Sequence, residues 1–297
     1  MKSMKKELVV GMGDLLFDVF PTGKKIGGAP VNFAYHVSQL GVESLAISAV
    51  GQDELGDEII DILNEKKINY IVPRVAEPTG TVQVTLDEKG VPSYEICEGV
   101  AWDNIPCSKQ LVEIAGKCSA FCFGSLAQRA EQSQDAIHLF LDSMAQGDDT
   151  WRIFDINLRQ AFYSREVIEN SLAKSNVLKI NDEEFVTVGQ LLGYDATDFE
   201  KGCRHLMDKY DLKMVILTCG AEGSYIFWGE AEKSFLATPK VEVADTVGAG
   251  DSFTAAFVAS LLKGLSVAEA HRKAVEVSAF VCTQSGAMPV LPEELKA

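Results

Sequence analysis

The amino-acid sequence predicts an α/β fold, a mostly parallel sheet covered by helices on both faces with a small second sheet beside it. Three observations carry the expectation. Short apolar runs of strand length alternate with helical patterns from one end of the chain to the other, the pattern of strands joined by helical crossovers. One stretch, at 79–97, breaks the alternation with two strand-like runs and no helix between them. The 297 residues are 47% hydrophobic, ample for a large buried core and too apolar for a disordered chain.

Residues 8–13 form the first expected strand. The lysines and apolar run there could open a signal peptide, but the run meets Gly11, Gly13 and Asp14 without a cleavage-like site. Residues 15–20 continue into a strand of the small sheet. Residues 30–40 are a helix marked at both ends, with Pro30 in its first turn and Gly41 just past its last. A strand at 45–50 and a helix at 55–65 follow. The runs 79–86 and 93–97 are joined by the polar turn Asp87-Glu88-Lys89-Gly90. With 15–20 they are expected to form a small antiparallel sheet, a lid drawn from about 15–25 and 79–103, able to close over a substrate and exclude water. An edge hairpin of the main sheet would carry the same pattern. Alternation then resumes, with strands at 120–124, 152–156, 177–180 and 215–219 and helices at 131–145, 182–188 and 199–210. Helices at 250–262 and 266–282 end the pattern. No internal repeat, low-complexity tract or long linker interrupts it, so residues 1–297 are expected to form one domain.

Lys and Arg number 27 against 43 Asp and Glu, a formal net charge of −16. A surface that acidic repels phosphate backbones and anionic headgroups, which argues against nucleic-acid and membrane roles. A small anionic substrate stays possible, because a local pocket can be positive on a negative protein. No apolar run approaches membrane-spanning length. The seven cysteines are scattered and form no CxxC pair, usage that fits a reducing cytosol better than a disulfide framework. The four histidines (36, 138, 205 and 271) lie in helical segments without metal-ligand spacing, and no chemistry is assigned to them.

Chemistry concentrates in two glycine-rich segments. Asp245-Thr246-Val247-Gly248-Ala249-Gly250-Asp251-Ser252-Phe253 precedes an apolar helical run at 254–262. Small residues at 248–250 let the backbone turn tightly and aim successive N–H groups at one spot, where the helix adds its free amides and partial positive charge. That makes an anion site suited to a transferred phosphoryl group, with the Asp251 carboxylate at its mouth to accept a proton. Taken alone, the segment also reads as an ordinary helix cap. The second segment is Gly27-Gly28-Ala29-Pro30-Val31-Asn32-Phe33-Ala34. Its paired glycines allow a ligand close, and Asn32 offers a polyol both a donor and an acceptor. The chain lacks a GxxxxGK followed by Ser or Thr, and Leu16 stands where the dinucleotide fingerprint begun by Gly11 and Gly13 needs its third glycine. Both the P-loop and the nicotinamide-dehydrogenase readings therefore fall away.

In this order, the two segments resemble the signature motifs of the PfkB, or ribokinase-like, carbohydrate kinase family. The resemblance runs through most of the chain. Gly51-Gln52-Asp53-Glu54-Leu55-Gly56 resembles the family's GxDxxG turn, and Phe154-Asp155-Ile156-Asn157-Leu158-Arg159 its DxNxR strand end. Asn181-Asp182-Glu183-Glu184 is similar to its NxxE motif, and Thr218-Cys219-Gly220-Ala221-Glu222-Gly223 to its TxGxxG segment. The resemblance implies a ribokinase-like three-layer sandwich with a β-sheet lid, and an ATP-dependent sugar kinase.

On the matching positions, the resemblance implies Asp251 as the base and the amides of Gly248, Ala249 and Gly250 as the anion hole. Asp18, Gly28 and Asn32 would hold sugar hydroxyls. Thr218, Gly220 and Gly223 would lie along the nucleotide, and Asn181 and Glu184 would organise magnesium through water. Asp245 and Thr246, with the stretch 285–288, match a loop that supports a monovalent cation such as potassium in many relatives. A lone Arg159 after a buried strand reads equally as a surface ion pair, but a strand's carboxyl end in a parallel sheet points where ligands bind. The resemblance adds contact with the substrate or the γ-phosphate. Trp102 could pack on a sugar face or between lid and core. Ala29-Pro30, Pro78-Thr79-Gly80-Thr81 and Phe123-Gly124-Ser125-Leu126 resemble bacterial-type fructokinases, whereas many of those carry Glu where this chain has Asp14. Fructose converted to fructose 6-phosphate is the expected reaction, with ribose or a 2-keto-3-deoxy sugar acid as alternatives. A non-catalytic sugar-binding regulator would usually have lost the base or the glycines. A cytoplasmic protein, and a homodimer through exposed lid edges, complete the expectation.

Overall fold

The computed structural model describes residues 7–86, 92–145, 147 and 150–296. The first half runs β1 (Leu8–Met12), β2 (Leu16–Phe20), β3 (Gly23–Gly27), α1 (Ala29–Gln39), β4 (Glu43–Ile47), α2 (Glu54–Glu65), β5 (Tyr70–Ile71), β6 (Gly80–Leu86), β7 (Pro92–Ile96), α3 (Lys109–Ala115), β8 (Ala120–Phe123) and α4 (Glu131–Ser143). The second half runs β9 (Trp151–Asp155), α5 (Arg165–Lys174), β10 (Val177–Asn181), α6 (Asp182–Leu192), α7 (Phe199–Tyr210), β11 (Met214–Thr218), β12 (Ser224–Trp228), β13 (Glu232–Leu236), α8 (Ala249–Leu262), α9 (Val267–Cys282) and α10 (Glu293–Lys296).

The large sheet has the order β13-β12-β11-β10-β9-β8-β1-β4-β5. Its strands pair in parallel from β5 to β11, and β12 and β13 add an antiparallel edge. Alternate residues face opposite layers. Val10, Met12, Phe121, Phe123 and Phe154 pack on α3 to α7, with Phe121 stacked 4.2 Å from Phe140. Val9, Cys122, Ile153, Val177 and Ile216 face α1, α8 and α9. Fully burying each such large side chain contributes about 1.5–3 kcal/mol. Every residue from Ser252 to Ser260 in α8 is buried, as its unbroken apolar run requires of a helix covered on all sides.

Strand order reverses between β1 and β8. From β1 the chain builds outward to β4 and β5, and from β8 outward to β9, β10 and β11. In an open parallel sheet that crevice, outside the carboxyl ends of the strands, is where ligands bind.

The small sheet has the order β3-β2-β6-β7. Its hairpins β2–β3 and β6–β7 are antiparallel as expected, but β2 and β6 meet in parallel. β3 runs to Gly27, just past the region 15–25, and within 79–103 the strands end at Ile96, with residues 101–104 forming a 3-10 turn. The turn at 87–90 lies outside the described residues. Asp53 ties this sheet to the core. It caps α2 through the Gly56 N–H (2.8 Å) and accepts from the Thr79 N–H (2.8 Å) and hydroxyl (2.6 Å) at the foot of β6. Trp102 is fully buried beneath Gly80, with the Arg129 guanidinium 4.0 Å from its ring and ion-paired to Asp103 at 2.8 Å. Of its two readings, packing between lid and core is the one observed.

Strands β3 and β5, the hairpin β12–β13 and helices α3, α5 and α10 go beyond the expected elements, and α6 runs to Leu192 rather than 188. The buried histidines are structural. His36 bonds the Ala287 carbonyl at 2.8 Å, and His271 lies between the hydroxyls of Ser224 (2.8 Å) and Ser234 (2.9 Å). Burial lowers each to about 4, so both are neutral near pH 7. Each cysteine is a free thiol. Among the described residues no helix is long and apolar enough to cross a membrane.

Candidate active site

The carboxyl ends of β1, β8 and β9 and the amino ends of α1 and α8 surround a cavity lined by Asp14, Cys122, Gly124, Asp155, Asn157 and Asp251. Gly28 opens α1 with φ 129°, and a Cβ there would lie 2.3 Å from the Asp14 carbonyl oxygen. No side chain fits. The Asp14 carboxylate accepts from the Ala29 N–H at 3.3 Å. One turn along α1, the Asn32 amide donates to Asp251 Oδ2 at 2.8 Å. Its own Oδ1 is buried without a partner among the described residues.

Gly248 opens α8 in the left-handed region, φ 78°, and a Cβ there would come within 2.7 Å of Ala287. The turn is thereby pressed against the 285–288 stretch. Gly250 is already helical, and its missing side chain has another cause: a Cβ would meet Lys179 Nζ at 2.9 Å. Lys179 and Asp155 are register partners on β10 and β9, both buried and ion-paired at 3.0 Å. The Thr254 hydroxyl, with one hydrogen to give, lies within reach of Asp155 Oδ2 at 3.1 Å and of the Gly250 carbonyl at 3.0 Å.

Burial, reinforced by Asp155, pushes Asp251 up to about 7 despite the Asn32 hydrogen bond and Lys179. Asp14 is also raised by burial, against the Ala29 N–H and the charges of Arg159 and Arg129. Burial and the Asp14 charge raise Asp18 on β2, again against Arg159. Arg159 is exposed, with its Nη1 on the Leu158 carbonyl at 3.1 Å. Its charge nevertheless reaches both aspartates. Burial lowers the Lys179 ammonium, but Asp155 and Glu184 outweigh it and hold the group above the ordinary lysine value.

Asn181 and Thr218 are register partners at the ends of β10 and β11. Asn181 caps α6 reciprocally with Glu184 (2.8 and 2.9 Å), and the second Glu184 oxygen accepts from the Leu158 N–H at 2.9 Å. Gly220, φ 51°, gives its carbonyl to the Thr238 hydroxyl at 2.6 Å. Gly223, φ 143°, passes so close to Leu236 that a Cβ would lie 2.4 Å from its carbonyl oxygen. Asp245 accepts from the N–H groups of Val247 and Gly286, both at 3.1 Å, and Lys25 Nζ of β3 lies 3.5 Å away. Burial pushes Asp245 up, but these partners outweigh it and hold it below the ordinary aspartate range. Thr246 is exposed in the same loop.

The family model described as pfkB family carbohydrate kinase matches residues 7–294. The chain belongs to this family. It is 29% identical to the probable fructokinase-5 of Arabidopsis thaliana over 314 residues, covering 96% of this chain and 94% of that one. It is 26% identical to the ATP-dependent 6-phosphofructokinase of Thermoanaerobacterium thermosaccharolyticum, covering 97% and 92%. The fructokinase of Vibrio cholerae O395, in a fructose-, ADP- and potassium-bound form, superposes with a TM-score of 0.81 at 22% identity, covering 98% and 97%. The fold is ribokinase-like, and the chain is a sugar kinase, a phosphotransferase acting on a sugar hydroxyl.

For a pfkB kinase, the sequence motifs converge closely. Asp251 lines the cavity and receives the Asn32 amide. Gly28 and Gly248 to Gly250 lie at the amino ends of α1 and α8 beside it, and Asn181, Thr218, Gly220 and Gly223 lie at and just beyond the ends of β10 and β11. Asp18, Arg159, Asp245 and Thr246 stand on the exposed side. Sequence reading did not single out Asp14, Asp155 or Lys179 as site residues. A carboxylate just after Gly13 at a strand end was a usable signal for Asp14. Nothing local marks the Lys179–Asp155 pair, because it exists only across two strands.

Proposed function

We propose that the chain transfers the γ-phosphoryl group of ATP to the 6-hydroxyl of fructose, giving fructose 6-phosphate and ADP, with Asp251 as the base. The observation that carries this reading is the placement of Asp251. Its carboxylate sits in the first turn of a buried helix, pushed up to about 7, at a cavity beside the unpaired Asn32 oxygen. A base half-ionised near neutral pH is matched to its task. Sugar hydroxyls would rest on Asp18, Gly28 and Asn32. As Asp251 takes the proton, the 6-oxygen bonds to the γ-phosphorus and the bond to the bridging oxygen of ADP breaks. Charge spreading over the phosphoryl oxygens would meet the amides of Gly248, Ala249 and Gly250 at the positive end of α8, with Arg159 opposite.

The nucleotide would run along the ends of β10 and β11, over Thr218, Gly220 and Gly223. The half-exposed Phe235 ring lies against Gly223 and would offer a base an apolar face. Magnesium would supply charge neutralisation on the phosphates. Among the described residues no cluster of three or more ligating side chains occurs, and both Glu184 oxygens already accept backbone N–H groups. Those residues fit an ion carried by the phosphates and reached through water. A monovalent cation at Asp245, Thr246 and 285–288 fits less well, because Lys25 already brings an ammonium to within 3.5 Å of Asp245 and 3.4 Å of Ser285. Replacing sodium by potassium should change turnover no more than a few-fold.

The test is ADP release across a panel of sugars with Mg-ATP, and strong turnover with fructose is expected. An anionic acceptor, a sugar acid or a sugar phosphate, is the second reading, favoured by the Arg159 charge felt at Asp14 and Asp18. Turnover with such an acceptor or with ribose in place of fructose would overturn the specificity and leave the base intact. The end strands β3 and β7 of the lid support a lid-to-lid homodimer. A monomer mass in sedimentation at micromolar concentration would contradict it.

A further inference from the structure

We propose that the buried Lys179–Asp155 pair is a positioning device for the phosphoryl transfer, holding the first turn of α8 and with it the Asp251 carboxylate. The inference rests on the reading of Asp251 as the base. The two residues face each other in register, on the sheet face that α8 covers. Their neighbours on that face, Ile153 and Val177, are apolar, and the strands are already joined by their backbones. A buried ion pair is poor value for stability, since packed hydrophobic residues of similar volume often serve as well or better. Its contacts point instead to α8. Lys179 Nζ occupies the space a side chain at position 250 would need, and the hydroxyl of Thr254 lies within reach of both Asp155 and the Gly250 carbonyl. The residue held between these contacts is Asp251.

The groups facing Asp251 come from every element around it. α1 supplies the Asn32 amide, the loop after β1 supplies Asp14, β9 supplies Asp155 and β10 supplies Lys179. Cys122 on β8 contributes no charge, because burial and the nearby aspartates push its thiol well above the ordinary value. Asp155 raises Asp251 and Lys179 lowers it. Burial raises Asp251, and on that raised value the two members of the pair pull in opposite directions.

This opposition gives a test that a mere structural brace would not pass. The pH dependence of kcat/KM with Mg-ATP and fructose is measured for wild type, Asp155→Asn, Lys179→Met and the double variant, with Asp251→Asn as control. Asp155→Asn keeps its shape and an acceptor for Thr254, and should move the acidic limb down by on the order of one pH unit, as removal of a nearby like charge does. Lys179→Met should move it up by a similar amount, and the double variant should return it close to wild type. Limbs that stay in place, or move the same way in both single variants, overturn the proposal. Near-wild-type turnover in Asp251→Asn overturns the base assignment instead. The same signs should appear in the 13Cγ titration of Asp251, assigned by its loss in Asp251→Asn, which needs no turnover. Should Lys179→Met fail to fold, the downward shift in Asp155→Asn alone decides.

Discussion

The α8 end of the site and the lid-facing rim are built differently. Around Asp251 the groups are buried, paired across strands and helices, and fixed by glycines that admit no side chain. Around Asp18, Arg159, Gly220 and Asp245 the chain is more open, and the polar contacts run to neighbouring loops and strands. The contrast teaches that the groups around the proposed base are organised by the core itself, whereas those on the proposed binding side have fewer buried partners. Pre-organised dipoles in a partly dry site supply the larger share of catalysis, and an exposed rim supplies affinity.

The sharpest way to break this contrast is Asp251→Asn. Turnover should fall by at least about 10²-fold, the lower range for loss of a general base, as followed by ADP release. Stability should move the other way. The folded Asp251 titrates at about 7, above its ordinary 3.8, so the folded state binds more protons than the unfolded between those values. Its contribution to stability is present below about pH 4, is lost as pH rises towards 7 and is absent above that. Asn imitates the protonated form, and at pH 8 the melting temperature should rise by about 2–6 °C. A lower Tm with retained turnover would reverse the assignment.

Next in size is Gly248→Ala, which puts a Cβ on a left-handed residue and into Ala287. It should cost about 1–3 kcal/mol of stability and lower kcat, seen by calorimetry and steady-state kinetics. Gly220→Ala is the matching change on the rim. Its φ is also positive, but nothing lies within 4 Å, so the loss should stay near 1 kcal/mol with kcat almost unchanged. Arg159→Met should have the smallest effect on the fold, leaving Tm within about 1 °C while raising KM for the acceptor or for ATP. An equal loss of kcat in Gly220→Ala and Gly248→Ala would erase the contrast.

Much of this was legible in the sequence because glycine spacing and strand–helix alternation are local signals. Gly28 and Gly248 could be read from motif and context alone, and each stands where only glycine fits. Lys179 could not. A single lysine in the run Val177-Leu178-Lys179-Ile180 looks like an exposed residue on a strand, and its partner Asp155 is identified only by the register of β9 against β10. The glycine at 250 was likewise read as backbone freedom, whereas the structure gives it as room for an ammonium group. The hairpin β12–β13 was missed although Gly229 and its neighbours carry a turn signal, because the edge strand β13 is mostly polar. The parallel β2–β6 pairing joins strands far apart in the chain, with Leu16 opposite Gly80, a link that no periodicity reports.

Nine successive buried residues fix α8 between α1 and α9, and this has a consequence for how such an enzyme can diverge. The segment proposed to carry the base is locked into the interior, while the small sheet is tied down through Asp53, Trp102 and Arg129. Leu16, Phe17, Val82, Val84 and Ile96 belong to the core, so exchange is open to partly exposed lid residues such as Val19, Phe20, Thr81 and Gln83. A new acceptor can be acquired by rewriting the lid, one residue at a time, on a chemical engine that stays the same.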